Sequence, residues 1–70
     1  MTGPLTLTVN GEDRTVQDVA TLADLLARLG LDPRTVVVEH NRTIVRRPDL
    51  AATPVRAGDA VEIVHFVGGG

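Results

Sequence analysis

The chain has 70 residues, with seven basic and nine acidic side chains for a formal net charge of −2, one aromatic residue, Phe66, and no cysteine. That length holds one small core; without cysteine there is no disulfide or cysteine zinc site, and without serine or lysine neither can serve as a nucleophile or hold a carrier arm. The acidic balance and the lone aromatic argue against nucleic acid as a partner, and no stretch reads as a membrane span or signal peptide, so the expected location is the cytoplasm, away from membranes.

Leu5, Thr6, Leu7, Thr8 and Val9 alternate with period two, which predicts a half-buried strand. Asn10-Gly11 follows and predicts a type I′ hairpin turn, since both turn positions need positive φ. Residues 12–17 are polar apart from Val16, as befits an edge strand. A two-residue loop sets Leu5 opposite Val16 but Leu7 opposite Arg14; the second pairing is poor, which leaves a longer loop open.

Leu22, Leu25, Leu26 and Leu29 recur at the spacing of one helical face. Thr21 is a suitable N-cap, Asp24 completes a capping box, and Gly30 with Leu31 fits a left-handed C-terminal stop. A helix of about nine or ten residues is marginal alone, so this stripe must pack on a sheet.

After Asp32-Pro33, residues 35–40 predict a valine-rich strand, Asn41-Arg42 a turn, and residues 43–46 a short strand ending near Pro48. Residues 49–57 read as irregular, with a turn at Ala57-Gly58-Asp59, and a last strand runs from about residue 60 to 67 with Val61 and Ile63 on its buried face. The expected class is α+β, a mixed sheet of about five strands with one helix on one face. The last strand, with the longest apolar run, is expected at the centre beside the first.

The candidates for chemistry are few. His40 and His65, even with Glu39 or Glu62, lack metal-ligand spacing, and the carboxylates form no acid and base pair. Arg42, Arg46 and Arg47 make a local basic patch, either a solvated strand edge or a docking site for an acidic partner. Alternation places Val64 and Phe66 on the uncovered face, either as a docking surface or with Phe66 folding over a core edge.

The ending Gly68-Gly69-Gly70 carries the most chemistry. A tail without side chains can thread a narrow channel at any φ. Its carboxylate, with a reference pKa of about 3.3 to 3.7, is ionised at neutral pH and can attack the α-phosphate of ATP. The resulting acyl-adenylate is open to a sulfur nucleophile. The bland reading is a frayed terminus.

Together, Val9 to Glu12 (Val-Asn-Gly-Glu), Thr21 to Leu26 (Thr-Leu-Ala-Asp-Leu-Leu), His40 to Arg47 (His-Asn-Arg-Thr-Ile-Val-Arg-Arg), Ala57 to Ile63 (Ala-Gly-Asp-Ala-Val-Glu-Ile) and the ending Val64 to Gly70 (Val-His-Phe-Val-Gly-Gly-Gly) resemble the sulfur carriers of thiamine biosynthesis, the ThiS family. Arg42 departs from the pattern, where the family often has glycine, and the third glycine is an addition.

The resemblance implies a ubiquitin-like β-grasp domain over residues 1–67 and a flexible glycine tail over 68–70. It implies a carrier and not an enzyme, with no bound cofactor. A ThiF-like E1 adenylyltransferase, using ATP and magnesium, would activate Gly70. A cysteine desulfurase or other persulfide donor would supply sulfur, and the Gly70 thiocarboxylate would deliver it to a ThiG-like thiazole synthase. Gly68 and Gly69 would thread the partner's channel, Val64, Phe66 and Val67 would guide the tail, and Arg46 and Arg47 would add a docking contact. Carriers for molybdopterin, tRNA thiolation or cysteine synthesis share this terminal chemistry, although Phe66-Val67 lacks the proline common before the molybdopterin Gly-Gly. A ubiquitin-like protein modifier is a further alternative, as is a non-covalent β-grasp interaction module with incidental glycines.

Overall fold

Hydrophobic alternation in the first residues produces the first hairpin: β1 (Leu5–Val9) pairs antiparallel with β2 (Glu12–Val16) in the computed structural model, which describes residues 3–66. Asn10 and Gly11 have φ of 51° and 82°, so both turn residues are left-handed, the type I′ requirement. The loop is the short one, and the register is Leu5 opposite Val16 and Leu7 opposite Arg14. The awkward second pair is tolerated because β2 is the sheet edge. Leu7 is buried, while Arg14 on the outer strand reaches water.

The helix α1 (Leu22–Arg28) is shorter than its leucine stripe predicts, because Leu29 is already the C-cap. The Thr21 hydroxyl accepts from the Asp24 amide at 3.2 Å, and the Asp24 carboxylate accepts from the Ala20 and Thr21 amides at 3.0 and 3.1 Å. These amides hold the Asp24 carboxyl below its ordinary range, led by Ala20. At the other end Gly30 has φ 75°, the Gly30 amide donates to Ala27 and the Leu31 amide donates to Leu26, a Schellman stop. Leu22, Leu25 and Leu26 are fully buried, and truncating any of them would cost about 2–5 kcal/mol.

Residues 33–35 form a 3₁₀ turn capped by the Asp32 side chain, so β3 (Val36–His40) starts one residue later than expected. Asn41 and Arg42, at φ 50° and 73°, make a second left-handed turn into β4 (Thr43–Val45), which stops before Arg46. The segment read as irregular contains a further 3₁₀ helix over Arg47–Ala52. Pro48 lies in its first turn, where the missing N–H costs no hydrogen bond; β4 has already stopped at Val45, short of the expected end near Pro48.

Leu50 and Val55 from that region are buried and extend the cover over the sheet. The region is tied to the helix by Leu22 N–H to the Thr53 carbonyl and Val55 N–H to the Ala20 carbonyl, both 3.0 Å. The helix therefore does not cover the sheet alone.

The last strand, β5 (Ala60–His65), is central in the order β2-β1-β5-β3-β4, parallel to β1 and antiparallel to β3. Val61 and Ile63 are buried and His65 is exposed. This is the expected β-grasp arrangement of a mixed five-stranded sheet with one α-helix.

Two asparagines complete the ladder around β5. The chain turns away from β5 at Asn10, and there the side-chain amide replaces the next peptide: Ile63 N–H donates to Asn10 Oδ1 at 2.7 Å and Asn10 Nδ2 donates to the Ile63 carbonyl at 3.1 Å. On the other side the Asn41 amide donates to the Ala60 carbonyl at 2.8 Å, and Ala60 N–H donates to Asn41 Oδ1 at 2.9 Å.

The two turns respond in opposite ways to glycine. Asn10→Gly keeps the left-handed turn but orphans two backbone groups of Ile63, and is expected to lower unfolding free energy by about 1–3 kcal/mol in urea titrations. Arg42→Gly relieves a positive φ with no lost side-chain hydrogen bond, and is expected to raise stability by about 0.5–1 kcal/mol.

Candidate functional site

Alternation along β5 sends Val61 and Ile63 toward the helix and Glu62 and Val64 to the opposite, uncovered face. The register puts Val37 of β3 beside Val64, and Ile44 of β4 beside Glu39 on the same face. Phe66 follows directly, its amide donating to the Thr35 carbonyl at 2.9 Å, so the chain is still held against β3 there. Val64, Phe66 and Ile44 are 62%, 63% and 63% exposed, which makes them the large apolar side chains that the described surface leaves in water.

Single exposed apolar residues are ordinary, but these share one sheet face. A shallow groove of about 510 Å³ runs beside them, bordered by Pro33, Val37, Ile44, Arg46 and Phe66. The expected exposure of Val64 and Phe66 is therefore realised, and Phe66 does not fold into the core. Ile44 was legible only as one of two adjacent apolar residues in a short strand. Period-two geometry lets one of that pair face the core, and Val45 takes that place.

The basic patch divides. Arg42 lies in the β3–β4 turn, whereas Arg46 and Arg47 follow the far end of β4, so the length of that strand separates them and the three do not form one cluster. Arg46 and Arg47 instead border the groove together with Arg34. Arg34 is held by Asp32, donating Nε to Oδ1 at 3.2 Å and Nη2 to Oδ2 at 2.9 Å. That contact, aided by the Arg34 amide, keeps the Asp32 carboxyl below its ordinary range. Val67, Gly68, Gly69 and Gly70, the remaining expected tail residues, lie outside the described residues, as does the boundary between domain and tail.

His40 has a partner that its sequence neighbours do not reveal. Its Nε2 donates to Asp59 Oδ2 at 2.7 Å, with both side chains largely covered at 18% and 15% exposure. Asp59 also accepts from the Arg56 amide at 2.8 Å and from Asn41 Nδ2 at 3.2 Å. Among the described residues no group of three or more histidines and carboxylates could hold a metal ion, and His65 stands apart from this pair. The His40–Asp59 contact fastens the turn before β5 to the end of β3. It is a structural lock at the opposite end of β5 from Phe66.

Burial tends to raise the Asp59 carboxyl pKa, but the hydrogen bonds from His40, Arg56 and Asn41 together outweigh it and leave the group below its ordinary 3.8. A depressed carboxylate contributes stability above its unfolded pKa and loses it as pH falls through the folded value. Acid unfolding of the native chain is therefore expected to steepen below about pH 4. Asp59→Asn should cost about 2 kcal/mol at neutral pH and flatten that part of the profile in circular-dichroism melts.

Comparison with known proteins places this geometry. The model of the ThiS family matches residues 7–70. The chain is 40% identical over 65 residues to the sulfur carrier protein ThiS of Bacillus subtilis (strain 168), spanning 91% of this chain and 98% of that protein. It is 45% identical over 64 residues to a thiazole synthase of Paramagnetospirillum magneticum, spanning 91% of this chain and 20% of that protein. A thiazole synthase of Magnetococcus marinus matches over 89% of this chain and 19% of its own length at 40% identity.

The chain thus spans about a fifth of the length of these two synthases. The crystal structure of the thiamine biosynthesis protein ThiS from Geobacter metallireducens superposes with a TM-score of 0.81 at 39% identity, covering 94% of this chain and all of that one. No helix among the described residues is long and apolar enough to cross a membrane. By its strand order, its exposed apolar face beside the last strand and its match along nearly its whole length, this chain belongs to the ThiS family, the sulfur carriers of thiamine biosynthesis.

Proposed function

We propose that the chain carries sulfur as a thiocarboxylate on Gly70. The observation that supports this reading best is the position of β5: the central strand brings Phe66, two residues before Gly68 in the sequence, to the margin of the exposed apolar face. The Gly70 carboxylate attacks the α-phosphate of ATP in a ThiF-like enzyme that binds magnesium, forming an acyl–phosphate bond and releasing pyrophosphate. A persulfide from a cysteine desulfurase or other donor attacks the acyl carbon and AMP leaves. Reductive cleavage of the S–S bond by a thiol then frees the thiocarboxylate. Its sulfur is softer and more nucleophilic than carboxylate oxygen, which suits delivery to a ThiG-like thiazole synthase.

Residues 64–67 do no chemistry in this scheme. Val64, Phe66 and Val67 dock on the partner, Gly68 and Gly69 thread its channel, and Arg46 and Arg47 add charge beside the groove. Thiazole synthase as the acceptor is supported by relatives of that name whose chains contain a region matching this one.

Incubation with the activating enzyme, ATP and a persulfide donor is expected to exchange one oxygen for sulfur on Gly70, read by intact-mass and fragment-mass spectrometry. Deleting Gly70 should abolish the exchange and leave the melting temperature unchanged. An unaltered mass with an enzyme of verified activity would sink the proposal. Phe66→Asp is expected to weaken binding to the activating enzyme by about tenfold or more while stability changes by less than about 0.5 kcal/mol, since the ring is not part of the core. Unchanged affinity would refute the docking role.

A further inference from the structure

The open face is electrically divided along β5. Glu39 and Glu62 are direct cross-strand partners on it, next to Val37, Val64 and Ile44. Facing side chains in such a pair lie about 4.5–5.5 Å apart at Cβ, and like charges there are destabilising. Among the described residues neither carboxylate has an ion pair or hydrogen bond to relieve that repulsion. At the Phe66 end, four residues or about 13 Å away along the strand, the groove is bordered by Arg34, Arg46 and Arg47; Arg34 is ion-paired with Asp32, whose carboxyl also feels the charge of Arg47. Val64 lies between the two charged ends, while Ile44 is level with Glu39 and Phe66 borders the arginines.

Resting on the carrier reading, we infer that the enzyme that adenylates Gly70 reads this face with a fixed polarity. Its complementary surface is apolar at the centre, acidic where it meets Arg46 and Arg47, and places one arginine or lysine between Glu39 and Glu62. Carboxylates on directly paired residues are within reach of one bridging guanidinium, since each offers acceptor oxygens to a planar fork of donors. The capture of the unloaded chain from solution is the step at which orientation matters. A docked carrier turned end for end would put the Phe66 end of β5 away from ATP, and reversing this charge pattern brings like charges together. The pair therefore costs the free chain some stability and acts as an orienting contact in the complex.

The test uses the full chain and its activating enzyme in ATP–pyrophosphate exchange, with the carrier as the varied substrate. The double substitution Glu39→Gln with Glu62→Gln is expected to raise KM about tenfold or more with kcat unchanged, and to flatten the salt dependence of KM. Its melting temperature should stay level or rise as the repulsion is removed, which separates docking from folding. Arg46→Glu with Arg47→Glu should raise KM in the same way. Asp13→Asn, on the same face over β1 and β2, should leave KM within about twofold of the native value.

A KM unchanged in the glutamate pair would overturn the inference while the carrier reading stands, even where affinity for thiazole synthase falls. An equal rise with Asp13→Asn would overturn it too, as generic charge attraction. Failure of the native chain to support any exchange would remove the carrier reading itself and this inference with it.

Discussion

The structure depends on holding β5 at the centre of the sheet. One face of that strand supplies Val61 and Ile63 to the core, and the other remains bare. Its two neighbours arrive from distant parts of the chain, β1 in parallel and β3 in antiparallel fashion. The parallel ladder with β1 has only two residue pairs before the chain must turn away at Asn10. The side-chain amide of Asn10 extends it, giving Ile63 both hydrogen bonds that a peptide would have given. Asn41, Asp59 and His40 perform the corresponding task at the start of the strand. Buried backbone groups left without partners are costly, so these few polar side chains decide whether the central strand stays in register.

That arrangement separates stability from recognition. The core lies wholly on the side of α1, where Leu22, Leu25 and Leu26 meet Leu7, Val38, Val61 and Ile63, with Leu50 and Val55 closing the edge. The opposite face makes little contribution to folding and is free to carry Val64, Phe66 and Ile44 in water. A small domain can afford such exposure only because its buried face is well filled. The uncompensated glutamate pair belongs to the same face, where local stability is given up without disturbing the core.

Family membership and the proposed chemistry meet at the end of β5. A chain with no cysteine, serine or lysine has few side chains on which to hold an acyl cargo. The fold brings the last described residue, Phe66, to the margin of the open face, beside the groove that Arg46 and Arg47 border.

Much of this was determined by local sequence. Asn10-Gly11 fixed a two-residue left-handed turn, Thr21 with Asp24 fixed the helix start, Gly30 fixed its end, and alternation in residues 60–65 divided buried from bare positions, because each depends on neighbours a few residues away. The exposure of Val64 and Phe66 was legible for the same reason. The tertiary structure alone decided what depends on distant pairing: that Asn10 reaches Ile63 and His40 reaches Asp59, and that Ile44 joins Val64 on the open face. It also moved Arg42 away from Arg46 and Arg47, and brought Glu39 against Glu62. Residues 19 or more positions apart carry no periodic signal of their meeting; strand order and register bring them together, and these are set by the packing of the whole core.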